Sequence, residues 1–437
     1  MKSNSILLVA AVVLSLPLTA KAQLPLPSQE GQQVAPLGAV PNEAWETTPA
    51  SFLDPNCVDG VSCAGMVDPS CEDGCEGGPR CRRCWDLWGS AEVLMWWMKG
   101  SKLPAIVGTS PTNPLTPRLD ASVVGTPGYT TLYGDERAGR EIQAGGRITL
   151  GTWLDATHNA GIGMRFFALD GSSEHFDRNT DGSTIIGRPF YNVQLGREDA
   201  LLIGYPNENS GNIRVHFTNS LIGNDAYFRV MLERSRLRRL DLISGYQFLR
   251  MDDDLRISSS TDIIDVNSLA FGARINVFDR FRATNEFHGA MMGLQGTMGR
   301  GNWSLTGLGK LGIGNNHQQV IIQGARDISF PPGPATPSNG GLFAQPSNIG
   351  THVRDRLCFI PEMTANLAYH VTPTFSVHVG YNLIWISDVV LSGDQIDRRV
   401  NLSQVPGPVV GPNLPAFQFR STEYWVQGIN LGLNWNF

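Results

Sequence analysis

The last thirteen residues, Trp425-Val-Gln-Gly-Ile-Asn-Leu-Gly-Leu-Asn-Trp-Asn-Phe437, alternate two kinds of side chain. Odd positions carry Trp425, Ile429, Leu431, Leu433, Trp435 and Phe437, with Gln427 the polar exception. Even positions from Gly428 onward are Gly or Asn. Successive strand side chains point to opposite faces, so the pattern predicts a β-strand with one apolar face and one small, polar face. In a soluble sheet such a strand at a chain end invites aggregation. As the closing strand of a transmembrane barrel it meets lipid on one side and the lumen on the other.

The same period recurs upstream. Ala91-Glu-Val-Leu-Met-Trp-Trp-Met98 predicts a first strand, its paired Trp suited to a membrane interface. Ile142, Ala144, Ile148, Leu150 and Leu154 share a face, and 160–169 predicts another strand. Ile213, Val215 and Phe217 alternate with Arg214, His216 and Thr218. Phe228, Val230 and Leu232 oppose Arg229 and Glu233, and Leu240, Leu242, Tyr246 and Phe248 form a further face. Leu269, Phe271, Ala273, Ile275 and Val277 oppose Gly272, Arg274 and Asn276. Trp303, Leu305, Leu311 and Ile313 oppose Ser304, Thr306 and Lys310. Phe359, Met363, Leu367 and Tyr369 oppose Glu362, Thr364 and His370, and Phe375 to Trp385 oppose Ser376, His378 and Asn382. With apolar faces toward lipid, the lumen candidates are Arg229, Arg274, Lys310, Glu362, His370 and His378.

Connection lengths sharpen the expectation, because outer-membrane barrels have short periplasmic turns and long external loops. Segments 99–138, 327–355 and 387–423 are predicted long external loops, and 370–374, 314–317 and 279–285 predicted turns. Segment 299–302 is a short external connection on the same count. An all-β transmembrane antiparallel barrel of about 14 strands (roughly 12–16) follows. Trp425 and Trp435 share a face, and at ~3.3 Å per residue and ~45° tilt they span ~23 Å, close to the ~25 Å apolar band between aromatic girdles.

The N-terminus directs the chain out of the cytoplasm. Lys2, the apolar run Ile6–Leu18 and Ala20-Lys-Ala22 predict a signal peptide over 1–22. Residues 23–56, rich in Pro, Gln and Glu, predict a flexible periplasmic linker. The barrel is expected over 85–437, in the outer membrane. Charge is low at 17% and net charge is −6, which gives no basic stripe for nucleic acid.

Between linker and barrel, segment 57–84 holds Cys57, Cys63, Cys71, Cys75, Cys81 and Cys84. An even cluster in an exported chain predicts disulfides. Metal binding through Cys81-Arg-Arg-Cys84 is the alternative, weakened by the absence of His from the cluster. Cys358 stands alone downstream.

The segments Asp279-Arg-Phe-Arg-Ala-Thr-Asn-Glu-Phe-His-Gly289, Ala91–Trp97, Gly393-Asp-Gln-Ile-Asp397 and Gln427-Gly428 together resemble the outer-membrane β-barrel family of planctomycete bacteria. The resemblance covers roughly 85–437 and implies a surface barrel of undefined biochemical activity.

Motifs for chemistry are sparse. Gly307-Leu-Gly-Lys-Leu-Gly312 matches a dinucleotide fingerprint in letters, but it lies in an alternating strand rather than opening a helix. Asp177-Arg-Asn-Thr-Asp-Gly182 places Asp177, Asn179 and Asp181 at calcium-loop spacing, the one candidate for a weak calcium site. Arg188 stands where the loop's bidentate Glu is expected, so an Asx-rich surface turn is the plainer reading. Eight scattered His single out no catalytic set, and neither catalytic nor cofactor-binding residues are assigned. Lys supplies only five of 34 basic residues, so arginines paired with acids are expected to tune or plug the lumen.

A porin-like channel for small solutes is the first functional expectation. A structural or interaction protein with a filled lumen is the second, and a barrel enzyme the third. The implied partners are outer-membrane lipid, small solutes, and barrel-assembly machinery acting through the closing strand that ends in Phe437.

Overall fold

The computed structural model describes residues 86–436 except 331, 332 and 406. The signal peptide, linker and Cys-rich segment expected over 1–84 lie outside the described residues. Ten strands carry the architecture: β1 (Leu87–Met98), β2 (Gln143–Trp153), β3 (Ala160–Leu169), β4 (Asn209–Arg234), β5 (Arg238–Ile263), β6 (Arg274–Arg300), β7 (Trp303–Ser329), β8 (Gly350–Thr372), β9 (Phe375–Val390) and β10 (Ser421–Asn436). Every strand pairs antiparallel with its sequence neighbours, and β10 pairs with β1 from Val426↔Met98 to Asn436↔Trp88. The hydrogen-bonded path therefore returns to its first strand. The sheet numbers 12 strands, but Ser173–Thr180 and Thr336–Asn339 are attached at its margins, leaving ten in the ring rather than the fourteen expected.

The discrepancy has a physical source. Strands β4 to β8 run 23 to 27 residues, far longer than a membrane crossing requires. Segments 279–285 and 314–317 look like turns because they are polar, yet they sit inside β6 and β7. Their polar side chains find partners on both faces: outside, Arg280 donates to Asp254 at 3.0 and 2.7 Å and Asn315 to Asp355 at 2.8 Å, while Asp279, Asn285 and Asn316 are buried inside. Arg300 pairs with Trp303 across a tight turn at the same end as the 372–375 turn, so 299–302 is not an external connection. The long connections are also shorter than expected at their ends. Asp327 belongs to β7, 350–355 to β8, Ser387 to β9 and Glu423 to β10.

An apolar belt surrounds the lower part of the ring. Val93 is 59% exposed, Phe228 64% and Met363 65%, a pattern that suits lipid and not water. The expected girdles are present as cross-strand pairs, Trp385↔Trp425 at one edge and Phe375↔Trp435 at the other. Trp435 lies over Gly89 of β1, where a Cβ would meet the indole at 2.7 Å. Immediately beyond the upper edge the outward positions become ionic. Arg250, Glu286, His317 and Asp355 lie in one register row, with Arg250–Glu286 at 2.9 Å and His317–Asp355 at 3.0 Å.

Above that row the two faces exchange roles. Ile213, Val215 and Phe217, expected toward lipid, point inward and are fully buried, while Arg214 and His216 face out. Residues 264–273 form a connection rather than strand, and Val277 is buried inside. The long walls of β4 to β8 here enclose a second, 5-stranded sheet built from the loops, including Val107–Ser110, Ile185–Asn192 and Arg197–Gly204. A core of Phe190, Ile203, Phe281, Phe343 and Ile396 joins the two. Asp279 pins this core: it accepts backbone N–H groups of Leu342, Phe343 and Ala344 at 2.9, 2.9 and 2.7 Å and pairs with fully buried Arg188 at 2.6 Å.

Candidate functional site: the lumen

Inward positions inside the belt build two stacked layers. The lower one is ionic. Three cross-strand pairs supply it: Glu92↔Arg147 on β1 and β2, Arg165↔Asp225 on β3 and β4, and Lys310↔Glu362 on β7 and β8. Facing side chains in such pairs stand within contact distance, so opposite charges there neutralise each other locally. The pairs also join across the lumen. Arg165 donates to both carboxylate oxygens of Glu362 at 2.6 and 2.8 Å, and Lys310 reaches Asp225 at 2.6 Å. Arg147 donates to Glu92 at 3.0 Å and to Asn382 at 3.3 Å, and Asn430 donates to Glu92 at 2.7 Å. His378 lies 3.4 Å from Glu92. Three cations thus meet three carboxylates, all at least nine-tenths buried. A buried charge is tolerated only when paired and hydrogen-bonded, and here each one is.

The upper layer is apolar. Trp96, Leu94, Phe167, Leu249, Met251, Phe287, Ile360, Ile384 and Val426 converge as one buried cluster that also holds Tyr424 and the thiol of Cys358. An eight-stranded barrel has an interior just wide enough for side chains to fill, and ten strands add little to that bore. The bridge 391–420 then caps the layer. Asn285 on β6 holds its start, donating to the Val390 carbonyl and accepting the Val390 N–H, both at 2.8 Å. Gln395 closes the far side by donating to the Leu391 and Arg420 carbonyls at 3.1 and 2.7 Å. The motif Gly393–Asp397 therefore ties the two ends of the bridge to each other.

Below the ionic layer a cavity of about 300 Å³ opens toward the short-turn end, lined by Trp88, Tyr227, Arg229, Thr306, His370 and Asn434 among others. The Trp88 ring fits because Gly151 faces it; a Cβ there would sit 2.1 Å from the indole.

The lumen candidates divide. Lys310, Glu362 and His378 belong to the ionic layer, and His370 lines the lower cavity with Ser304 at 2.9 Å. Arg229 also faces that cavity, paired with Asp241 at 2.6 Å and stacked on Trp153 at 4.9 Å. Arg274 does not face the lumen: it is exposed near the long-loop end, paired with Asp262 at 2.6 Å, because the faces have exchanged by that height. The calcium reading also needs correction. Asp177 and Asn179 lie on the strand Ser173–Thr180, where alternate side chains stand ~6.6 Å apart instead of wrapping a point. Asp177 pairs with Arg214 at 3.0 Å, and Asp181 accepts the Ser183 N–H at 2.9 Å in the turn that follows. Among the described residues no group of three or more candidate metal ligands converges. Gly307 and Gly309 sit in β7 as expected of a strand. Cysteines 57 to 84 lie outside the described residues.

Sequence reasoning missed Glu92, Arg147, Arg165 and Asp225. A signal existed for three of them: each is the single charged residue of its strand, β1, β2 or β3. A lone charge in an otherwise apolar or small-residue strand has to meet partners inside.

The outer membrane protease OmpT from Escherichia coli is similar at 11% identity and TM-score 0.37, covering 80% of this chain and 97% of that chain. A FadL homologue from Pseudomonas aeruginosa has 8% identity and TM-score 0.21, covering 80% and 90%. The TodX deltaS2S3 mutant monoaromatic hydrocarbon channel has 8% identity and TM-score 0.22 over the same shares. No curated protein sequence matches the chain. The model of the family described as "Putative beta barrel porin-7 (BBP7)" matches residues 88–437, from the first strand through the closing one. The chain belongs to this β-barrel porin family.

Proposed function

We propose that this protein is an outer-membrane barrel with a sealed lumen, which serves as a structural, surface-presenting component of the cell envelope and not as an open solute channel. The Arg165–Glu362 contact carries the reading. It ties β3 to β8, on opposite sides of the ring, through two hydrogen bonds. Side chains from opposite walls meet at that level, and the apolar cluster stacks directly above it. Membership of a porin family does not oppose this, since a narrow barrel is readily filled by its own side chains.

Placement in the outer membrane is supported by the apolar belt, the paired girdles and the short-turn and long-loop ends. On this placement the short turns face the periplasm and the loop-built second sheet faces outward. The closing strand β10 is the segment offered to barrel-assembly machinery, and lipid is the belt's partner.

Planar-bilayer recording of the purified protein tests the reading. The expected result is no stable conductance steps across a wide voltage range. Reproducible open steps abolished by antibodies to the external loops would establish the solute-channel function instead.

A further inference from the structure

Just above the girdle on the long-loop side lies a second cavity, of about 630 Å³, that the lumen does not account for. Two connections build it: the one between β1 and β2, through the segment just after β1 and the segment around Thr131–Arg137, and the bridge that returns to β10 at Ser421. Lys102, Arg137, Arg398 and Arg420 line it, together with Asp135 and Asp394. Arg398 is committed to Glu198 at 2.7 Å. Among the described residues Lys102, Arg137 and Arg420 have no ion-pair partner; Arg137 donates only to the Gly100 carbonyl, at 3.1 Å. Hydroxyls of Thr131, Ser421 and Thr422 and the ring of Tyr129 complete the wall.

We propose that this cavity binds a phosphate-bearing head group, with Arg137 and Arg420 as the principal contacts and Lys102 at the rim. Guanidinium forks match phosphate oxygens in pairs, and an ammonium adds a point charge. Unpaired cations around one concavity focus the potential that an anion relieves. Half-buried Asp394 fits this role as a floor: burial raises its pKa, opposed by Arg137, Lys99, Arg420 and Lys102.

Height favours a lipid as the source. The Lys99 N–H donates to the carbonyl of the girdle residue Trp425 at 3.0 Å. Thr422 lies three residues beyond Trp425, ~10 Å along the strand and ~7 Å along the membrane normal at ~45° tilt. Head groups extend ~5–8 Å beyond the hydrocarbon on each side, so the cavity opens in their layer. This choice of source rests on the membrane placement proposed above; the anion site itself does not.

Native mass spectrometry of the detergent-released barrel tests both parts. One arm offers equimolar phosphatidylcholine and phosphatidic acid; the other offers inorganic pyrophosphate alone. The wild type is expected to retain phosphatidic acid over phosphatidylcholine and to retain pyrophosphate. The double variant Arg137→Gln/Arg420→Gln should lose about tenfold in both, and Lys102→Gln less. Arg256→Gln/Arg214→Gln, on the outer wall away from the cavity, serves as the control matched in charge to the double variant and should retain both. Folding of each variant is checked by its heat-dependent gel mobility. Retention of pyrophosphate without preference for phosphatidic acid upholds the anion site and overturns the lipid source. Equal retention by wild type and folded variants, or by neither, overturns the proposal.

Discussion

Arg165 on β3 meets Glu362 on β8, five places away around a ring of ten, through parallel hydrogen bonds of 2.6 and 2.8 Å. Removing one partner leaves the buried layer with an uncompensated charge: without Arg165, Glu362 and Asp225 share Lys310, and without Glu362, Arg165 and Lys310 share Asp225. Arg165→Leu or Glu362→Leu should each cost about 3–5 kcal/mol. The double Arg165→Met/Glu362→Met, which keeps the layer neutral with Lys310 and Asp225, should recover more than half of that loss. Denaturant midpoints of the refolded barrel measure both, and single variants as stable as the wild type would show that the layer is not closed.

Asn285 joins the barrel wall to the plug. Both ends of its amide bind the backbone of Val390, so Asn285→Ala leaves a buried N–H and a buried carbonyl without partners. The expected loss is about 1–3 kcal/mol, localised to the bridge. Protease cleavage within 391–420 should speed up while the belt strands keep their protection. Unchanged cleavage would remove Asn285 from the anchoring role.

Acid should loosen the same bridge. Asp397 is buried in it, and burial alone would raise its pKa. Hydrogen bonds from Arg399 at 2.9 and 2.8 Å and from backbone N–H groups more than offset burial and hold the carboxyl below its usual range. A depressed folded-state pKa contributes stability above the unfolded value of ~3.9 and loses it as pH falls through the folded value. Hydrogen exchange of the 396–416 amides should therefore accelerate below about pH 4 in the wild type. Asp397→Asn should exchange faster at neutral pH and show no such acid step. A variant retaining the step would place its origin elsewhere.

Cys358 reports on the seal without any current measurement. Its side chain faces the apolar layer and is 0% exposed, with the Ser387 hydroxyl donating to the sulfur at 3.5 Å. A charged maleimide should leave the peptide containing Cys358 unlabelled in the folded barrel and label it after heat unfolding. Rapid labelling of folded protein would reveal an aqueous path through the lumen.

Legibility from sequence followed solvent. Within the belt each strand separates lipid from lumen, so alternation in β7 to β10 named the correct outward faces, and Trp425 and Trp435 marked both girdles. Above the belt the same alternation named the wrong faces for Ile213, Val215 and Phe217, because water had replaced lipid outside and loop side chains had replaced water inside. A period of two says that two faces differ; it does not say which solvent each one meets.

Sequence alone determined the architecture class and the closing strand, since period-two alternation, girdle spacing and a strand's apolar face are local properties of a few consecutive residues. Only the tertiary structure decided that ten strands close the ring, that the lone charges of β1, β2 and β3 join one ionic layer, and that Arg165 reaches Glu362 across it. Those outcomes depend on which distant strands share a register and on how wide a ring they make. Pairing across hundreds of residues leaves its mark on geometry and none on the local pattern.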